Sequence, residues 1–223
     1  MSQHSVPLKE LRSGGPPKDG IPAILNPIFV QVENASFLHD EDRVLGLSDG
    51  NQAKAYPVKI LNWHEIVNDM IGGKPVLVTY CPLCGTGIGF DPVVNGRPVT
   101  FGVSGLLYQS DLVMYDHQTE SLWSQISMEA IAGPMTGVKL KHIFLTHTTW
   151  GEWRRRHLNT LVLSTKTGYF RDYDRDPYLG YAQRADLMFD TNHFDPSYHP
   201  KEWVLGFRGN TQSFGPSKLT SPV

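Results

Sequence analysis

The sequence predicts an α+β, strand-rich fold: mostly antiparallel sheet or a partly closed barrel, with two or three helices packed on it. Three observations carry this. Short β-branched and aromatic runs recur along the chain, Gly- and Asn-containing turn signals separate many of them, and only two stretches show helical spacing. With 223 residues, 40% hydrophobic and 11% aromatic, and charges of both signs, the chain can bury a substantial core, which excludes disorder. One globular domain is expected over 21–223, preceded by a polar arm over 1–20 that is rich in turn formers (Gly14, Gly15, Pro16, Pro17, Gly20).

Strands are expected at 29–32 and 43–47, a turn at Asp49-Gly50-Asn51, and a further strand at 53–56. Over 58–71 the apolar residues Ile60, Trp63, Val67 and Met70 recur at helical spacing, and Gly72-Gly73 supplies a stop. The β-branched run 75–80 leads into Cys81, and strand resumes after Gly87 as far as Phe90. Asn95-Gly96 marks a tight hairpin into 99–103. Strands follow at 112–115, 122–124, 130–131, 138–144 and 161–163, interrupted by a helix over 149–157 that Thr148 or Thr149 could cap. The segment 164–200, dense in Asp, Tyr, Pro and His without a clean period, is long for an unstructured loop and points to a functional or clamping role.

A net charge of -2 with scattered Lys and Arg leaves no footprint for nucleic acid, and the run Arg154-Arg155-Arg156 fits a solvated helix face. No stretch approaches the roughly 20 apolar residues of a membrane span, and 1–20 lacks an apolar signal region. As it stands the sequence reads as soluble and cytoplasmic, the alternative being an exported protein given without its leader. It leaves the oligomeric state open.

Only two cysteines occur, and they are three positions apart, in Tyr80-Cys81-Pro82-Leu83-Cys84-Gly85. A disulfide between them would close a tiny loop and add little by restricting the unfolded chain. The proline and trailing glycine match the tight knuckle in which two thiolates converge on one metal, so Cys81 and Cys84 supply half of a four-ligand site. A thioredoxin-like dithiol is the competing reading, but it needs a helix N-terminus where Gly85-Thr86-Gly87-Ile88-Gly89 favours turn and strand. Structural or inert thiols are the third. Haem attachment is excluded, because Gly85 stands where histidine would be required.

The remaining ligands must come from elsewhere. His64 falls between Ile60, Val67 and Ile71 on a helical projection, so its ring faces the core or a buried cleft. It is read as a hydrogen-bonded core histidine, the commoner case, or as a third metal ligand. A paired-histidine zinc motif is absent because Asn68 occupies the position four residues on. A helix from His64 to Ile71 returns about 10 Å while the strand to Cys81 advances about 20 Å, so Cys81 is expected to overshoot His64 unless the elements tilt. His117, His142 and His147 are alternatives. The glycines at 85, 87 and 89 are read as tight packing rather than a phosphate loop, since no lysine and no helix follow.

Tyr115, Asp116, Trp123 and Gln125, with Tyr173, Asp176, Tyr178 and Tyr181, form an aromatic and polar set that either lines a pocket for a small molecule or edges the sheets. No Gly-x-Ser-x-Gly elbow is present, which leaves hydrolysis by a serine nucleophile without support. Gly50-Asn51, Pro57 and Lys59 are echoed 159 positions later by Gly209-Asn210, Pro216 and Lys218, which suggests a truncated internal repeat from 203.

The strings Asp19-Gly20-Ile21-Pro22-Ala23, Ala55-Tyr56-Pro57, His64-Glu65-Ile66-Val67-Asn68-Asp69 and Tyr80-Cys81-Pro82-Leu83-Cys84 resemble the domain of unknown function 3179 family. So do those from Phe101 to Tyr108, Ser121-Leu122-Trp123-Ser124-Gln125 and Asp176-Pro177-Tyr178. That resemblance implies no particular activity. The residues themselves favour a protein that binds one transition metal, copper or zinc, through Cys81 and Cys84 with His64 as third ligand, for redox or metal-assisted catalysis. A non-enzymatic binding module with structural cysteines and a thiol-disulfide protein are the alternatives.

Overall fold

The computed structural model describes residues 3–192, 195–205 and 217–218. In chain order it contains β1 (Leu11–Ser13), β2 (Phe29–Gln31), β3 (Arg43–Ser48), β4 (Ala53–Pro57), α1 (Val58–His64), β5 (Ile66–Ile71), β6 (Lys74–Cys81) and β7 (Thr86–Asp91). There follow β8 (Val93–Val94), β9 (Arg97–Pro98), β10 (Phe101–Tyr108), β11 (Asp111–Asp116), β12 (Leu122–Ser124) and β13 (Glu129–Ala132). The last are β14 (Lys141–Ile143), β15 (Thr146–Thr149), α2 (Trp150–Arg156), β16 (Leu161–Leu163), β17 (Val204–Leu205) and β18 (Ser217–Lys218).

These strands form three main sheets, ordered β1-β10-β11-β12-β13, β14-β7-β6-β5 and β15-β3-β4-β16-β2. Among the described residues every strand pairing is antiparallel except β16 with β4. The strand-rich α+β prediction holds in its open-sheet form, and among the described residues no sheet closes into a barrel. The arm is not loose: β1 pairs with β10 and adds an edge to the first sheet. Asn95 and Gly96 take positive φ in the predicted hairpin, between β8 and β9.

The helix expected over 58–71 is only half present. It stops at His64, Glu65 turns into the left-handed region with φ 57°, and the chain continues as β5. Pairing overrides the period here: β5 runs antiparallel to β6 with Ile66 opposite Thr79, and Asn68 clamps Phe101 through its side-chain amide. Met70, expected to face the core, is exposed. A strand whose backbone is fully paired outweighs the small helical preference of a short amphipathic stretch.

The second helix forms where expected. Thr149 caps it by accepting from the Glu152 N–H, and its three arginines lie on the exposed face, paired with Glu152 and Asp40. Trp150 and Trp153 face inward. Gly87 and Gly89 sit so close to Leu45 and to the Ile143 carbonyl that a Cβ would collide, confirming their packing role. Most of the internal echo lies outside the described residues; within them, β17 pairs antiparallel with β18.

One buried ion pair ties the second and third sheets together. Lys54 Nζ donates to both oxygens of Asp69 at 2.9 and 2.7 Å and to the Met70 carbonyl at 2.7 Å, while the Tyr56 hydroxyl donates to Asp69 Oδ2 at 2.7 Å. Burial, then the Asp69 charge, pushes the Tyr56 hydroxyl well up, so Tyr56 serves as a permanent donor. Removing one partner strands a buried charge. Asp69→Ala is expected to lower stability by ~3–5 kcal/mol in urea denaturation, and a loss below about 1 kcal/mol, typical of an exposed pair, would contradict this account.

Candidate metal centre

The two cysteines lie on the β6–β7 hairpin. Cys81 is the last residue of β6, paired with Thr86 at the start of β7, and the four residues between them make the turn. Gly85 closes it at φ 66°. The knuckle is therefore a strand–turn–strand, without the helix N-terminus that lowers the first thiol's pKa in dithiol oxidoreductases. Cys81 is buried and Cys84 exposed, and both are free thiols.

Asp111, the first residue of β11, comes from another sheet to complete the group. The ligand atoms of Cys81, Cys84 and Asp111 all lie within 4.8 Å of one another, so the group could hold a metal ion. Cys84 Sγ donates to Asp111 Oδ1 at 3.3 Å, and the other carboxylate oxygen accepts from the Ile126 N–H at 3.0 Å. That second bond fixes the carboxylate's orientation. The residues fit such an ion: a tetrahedral one with sulfur at about 2.3 Å and oxygen at about 2.0 Å separates the two by about 3.5 Å.

Acids surround the cluster. Cys81 has its thiol pushed well up, first by the hydrogen bond with Cys84 and then by burial. Burial raises Asp111 to about 6, although hydrogen bonds from the Ile126 N–H and the cysteine thiols oppose the rise. Glu65, set inward by its left-handed turn, is raised to about 8 by burial and then by the Asp111 charge. Tyr178 is raised by burial and then by Glu65. Four proton-bearing groups therefore resist ionising beside one another. The neighbouring cation, Arg43, acts on the Tyr80 hydroxyl, whose pKa burial raises and Arg43 partly restores.

A cleft of about 840 Å³ opens on the exposed side of Cys84, walled by Tyr80, His147, Tyr173, Tyr178 and Trp203 among others. Arg43 reaches into it, its guanidinium 4.2 Å from the Trp203 ring. The segment 164–200 forms much of one side and is held there by Asn62 to Asp176, Trp63 to the Arg175 carbonyl, and Lys201 to three carbonyls at Tyr181, Arg184 and Asp186. Its expected clamping character has this physical basis.

The structure divides the residues singled out from sequence. Tyr173, Asp176, Tyr178 and Tyr181 line the cleft. Tyr115, Asp116, Trp123 and Gln125 lie away from it: Tyr115 donates to Asp19, Asp116 accepts from the Trp123 indole, and Gln125 donates to Thr79 behind the hairpin. His64 stands outside the cysteine group. Its Nδ1 donates to the Pro22 carbonyl at 2.7 Å, which leaves Nε2 to accept from the Tyr173 hydroxyl at 2.7 Å. Burial keeps that ring neutral by lowering its pKa. His147 bonds the Gly87 carbonyl, His142 packs on Phe144, and His117 pairs with Thr100.

Sequence reading missed Asp111 and Glu65. The available signals were a lone carboxylate opening the apolar run Leu112-Val113-Met114-Tyr115, and a carboxylate directly before the apolar Ile66-Val67.

Because the folded chain keeps a proton on Glu65 that the unfolded chain releases, this group stabilises the metal-free fold fully below pH 4.5, and the effect is lost as pH rises towards about 8. Metal-free protein is expected to weaken over that window, and Glu65→Gln to flatten the decline by on the order of 4 kcal/mol. An unchanged slope in chemical denaturation across pH would contradict the burial of this carboxyl.

Comparison with known proteins agrees with the sequence strings above. The family described as "Protein of unknown function (DUF3179)" matches residues 18–220, nearly the whole chain. No curated protein and no solved structure matches. With its hairpin knuckle, its clamped aromatic segment and a match of that extent, the chain belongs to the DUF3179 family.

Proposed function

We propose that the protein is a metal-dependent catalyst that holds one transition metal, zinc or copper, on Cys81, Cys84 and Asp111 and acts on a small molecule in the adjoining cleft. The observation that carries this is the convergence of two soft sulfurs and one hard oxygen from two sheets within 4.8 Å. Such a mixed donor set suits a borderline-soft ion rather than magnesium or calcium.

Three protein ligands with the fourth direction free are the hallmark of catalytic rather than structural centres. Cys84 faces the cleft while Cys81 and Asp111 are buried, so any free position is reached from the side of Tyr80 and Tyr178. When bound, the ion supplies charge for polarising a substrate oxygen or a bound water. The chain's own residues do the rest. Asp111, held by the Ile126 N–H, keeps its orientation, Tyr80 and Tyr178 offer protonated hydroxyls, and the clamped segment restricts water. The raised pKa values of Cys81 and Asp111 agree with a site built for a cation, since a divalent charge offsets the repulsion that keeps them protonated.

Metal analysis of protein purified without a histidine tag is expected to give about one zinc or copper per chain. The Cys81→Ser, Cys84→Ser double variant should lose it, and Asp111→Asn should weaken binding at least about tenfold. Substoichiometric metal in wild-type protein after anaerobic purification and reloading would overturn the proposal. Retained binding of a small molecule by a metal-free double variant would favour the non-enzymatic binding module instead.

A further inference from the structure

A second cavity, of about 350 Å³, lies on the opposite side of Leu83 and Tyr178, which border both spaces. Its volume is at the small end of the about 300–1,000 Å³ range of small-molecule sites. Ile21, Val103, Leu107, Leu112 and Phe189 make its wall apolar. The N-terminal arm borders it: the Gly14 N–H donates to the Gly105 carbonyl at 2.8 Å and the Asp19 N–H to the Val103 carbonyl at 2.9 Å. This approach needs Gly105, which sits at φ 76° in the β10 bulge, where a Cβ would fall 2.4 Å from the Pro16 carbonyl oxygen.

Within this apolar wall stands one carboxyl group, that of Glu65. It is 8% exposed, burial and the Asp111 charge rather than any hydrogen bond act on its carboxyl, and its backbone is held at both ends by Leu61 and Tyr80. Its oxygens keep contact with the cavity, so their hydrogen bonds are completed from that space rather than by the chain. The left-handed turn at Glu65 adds strain at the same residue.

We propose that this cavity binds a small apolar molecule carrying one N–H or O–H donor, with the Glu65 carboxyl as the acceptor of that hydrogen bond. The inference deepens the metal-centre proposal, because Glu65 stands beside Cys81 and Asp111 and would hold the donor end of a substrate towards the metal ligands. Its binding part, however, stands on the cavity and Glu65 alone. Metal coordination by Glu65 is the competing role, and the ligand group of Cys81, Cys84 and Asp111 forms without it.

The test uses indole and its sulfur isostere benzothiophene, alike in shape but differing in the N–H, titrated into the full chain by calorimetry with metal content measured for each sample. Wild-type protein is expected to prefer indole by about two- to tenfold, the range of a hydrogen bond to a neutral acceptor such as the protonated Glu65 carboxyl. Glu65→Leu should abolish the preference while benzothiophene binding is kept, and Val103→Phe should abolish binding of both. Should Glu65→Leu fail to fold, Glu65→Met, which keeps the length of the side chain without the oxygen acceptor, should lose the preference in the same way. Equal binding of the two probes to wild-type protein, or binding of neither, overturns the proposal. So does an unchanged preference in Glu65→Leu or Glu65→Met, including the case where the metal is lost and Glu65 is thereby shown to be a ligand. An indole preference in protein that binds no metal supports the cavity assignment and sinks the metal reading alone.

Discussion

β6 is hydrogen-bonded along both edges, to β5 and to β7, and its last residues cannot slip without moving the whole site. The Tyr80 N–H donates to the Glu65 carbonyl at 2.7 Å on one side, while Cys81 pairs with Thr86 on the other. Register in a strand buried on both faces is tightly specified, because a shift of one residue would turn every side chain to the opposite face. That constraint fixes which face Cys81 presents and sends the chain into its turn at Cys84. It also places Glu65, rather than His64, beside the cluster.

Around this hairpin the other sheets supply what it lacks. β11 contributes Asp111 with its carboxylate already oriented by the Ile126 N–H, and the segment after β16 contributes the tyrosines that wall the cleft. The two cavities meet at Leu83 and Tyr178, so the knuckle stands between an aromatic-walled space and an apolar one. An arrangement that crowds two thiols and two carboxyls is unfavourable for the bare fold, and a bound cation offsets that cost.

Much of the fold was legible, since hairpin chemistry and β-branched runs are local signals. Leu122 to Ser124 and Leu161 to Leu163 form strands as read, and Thr149 caps its helix. The site was legible only where its residues are adjacent: Cys81 and Cys84 announce themselves by spacing, whereas Asp111 arrives from a strand 27 positions beyond Cys84 and carries no pattern of its own. Glu65 was hidden for a different reason. The period of Ile60, Trp63, Val67 and Met70 fits a helix, but pairing of β5 with β6 ends that helix one residue before it. The aromatic set divided because residues of one composition serve two ends, Trp123 and Tyr115 holding the first sheet together and Tyr173 and Tyr178 facing the cleft.

X-ray absorption at the edge of the bound metal tests the centre most directly, because it counts sulfur neighbours without depending on activity. The account predicts two sulfur scatterers at about 2.3 Å with the remaining neighbours oxygen or nitrogen at about 2.0–2.2 Å. One sulfur should be lost in Cys84→Ser. A first shell without sulfur would contradict the assignment of Cys81 and Cys84 as ligands.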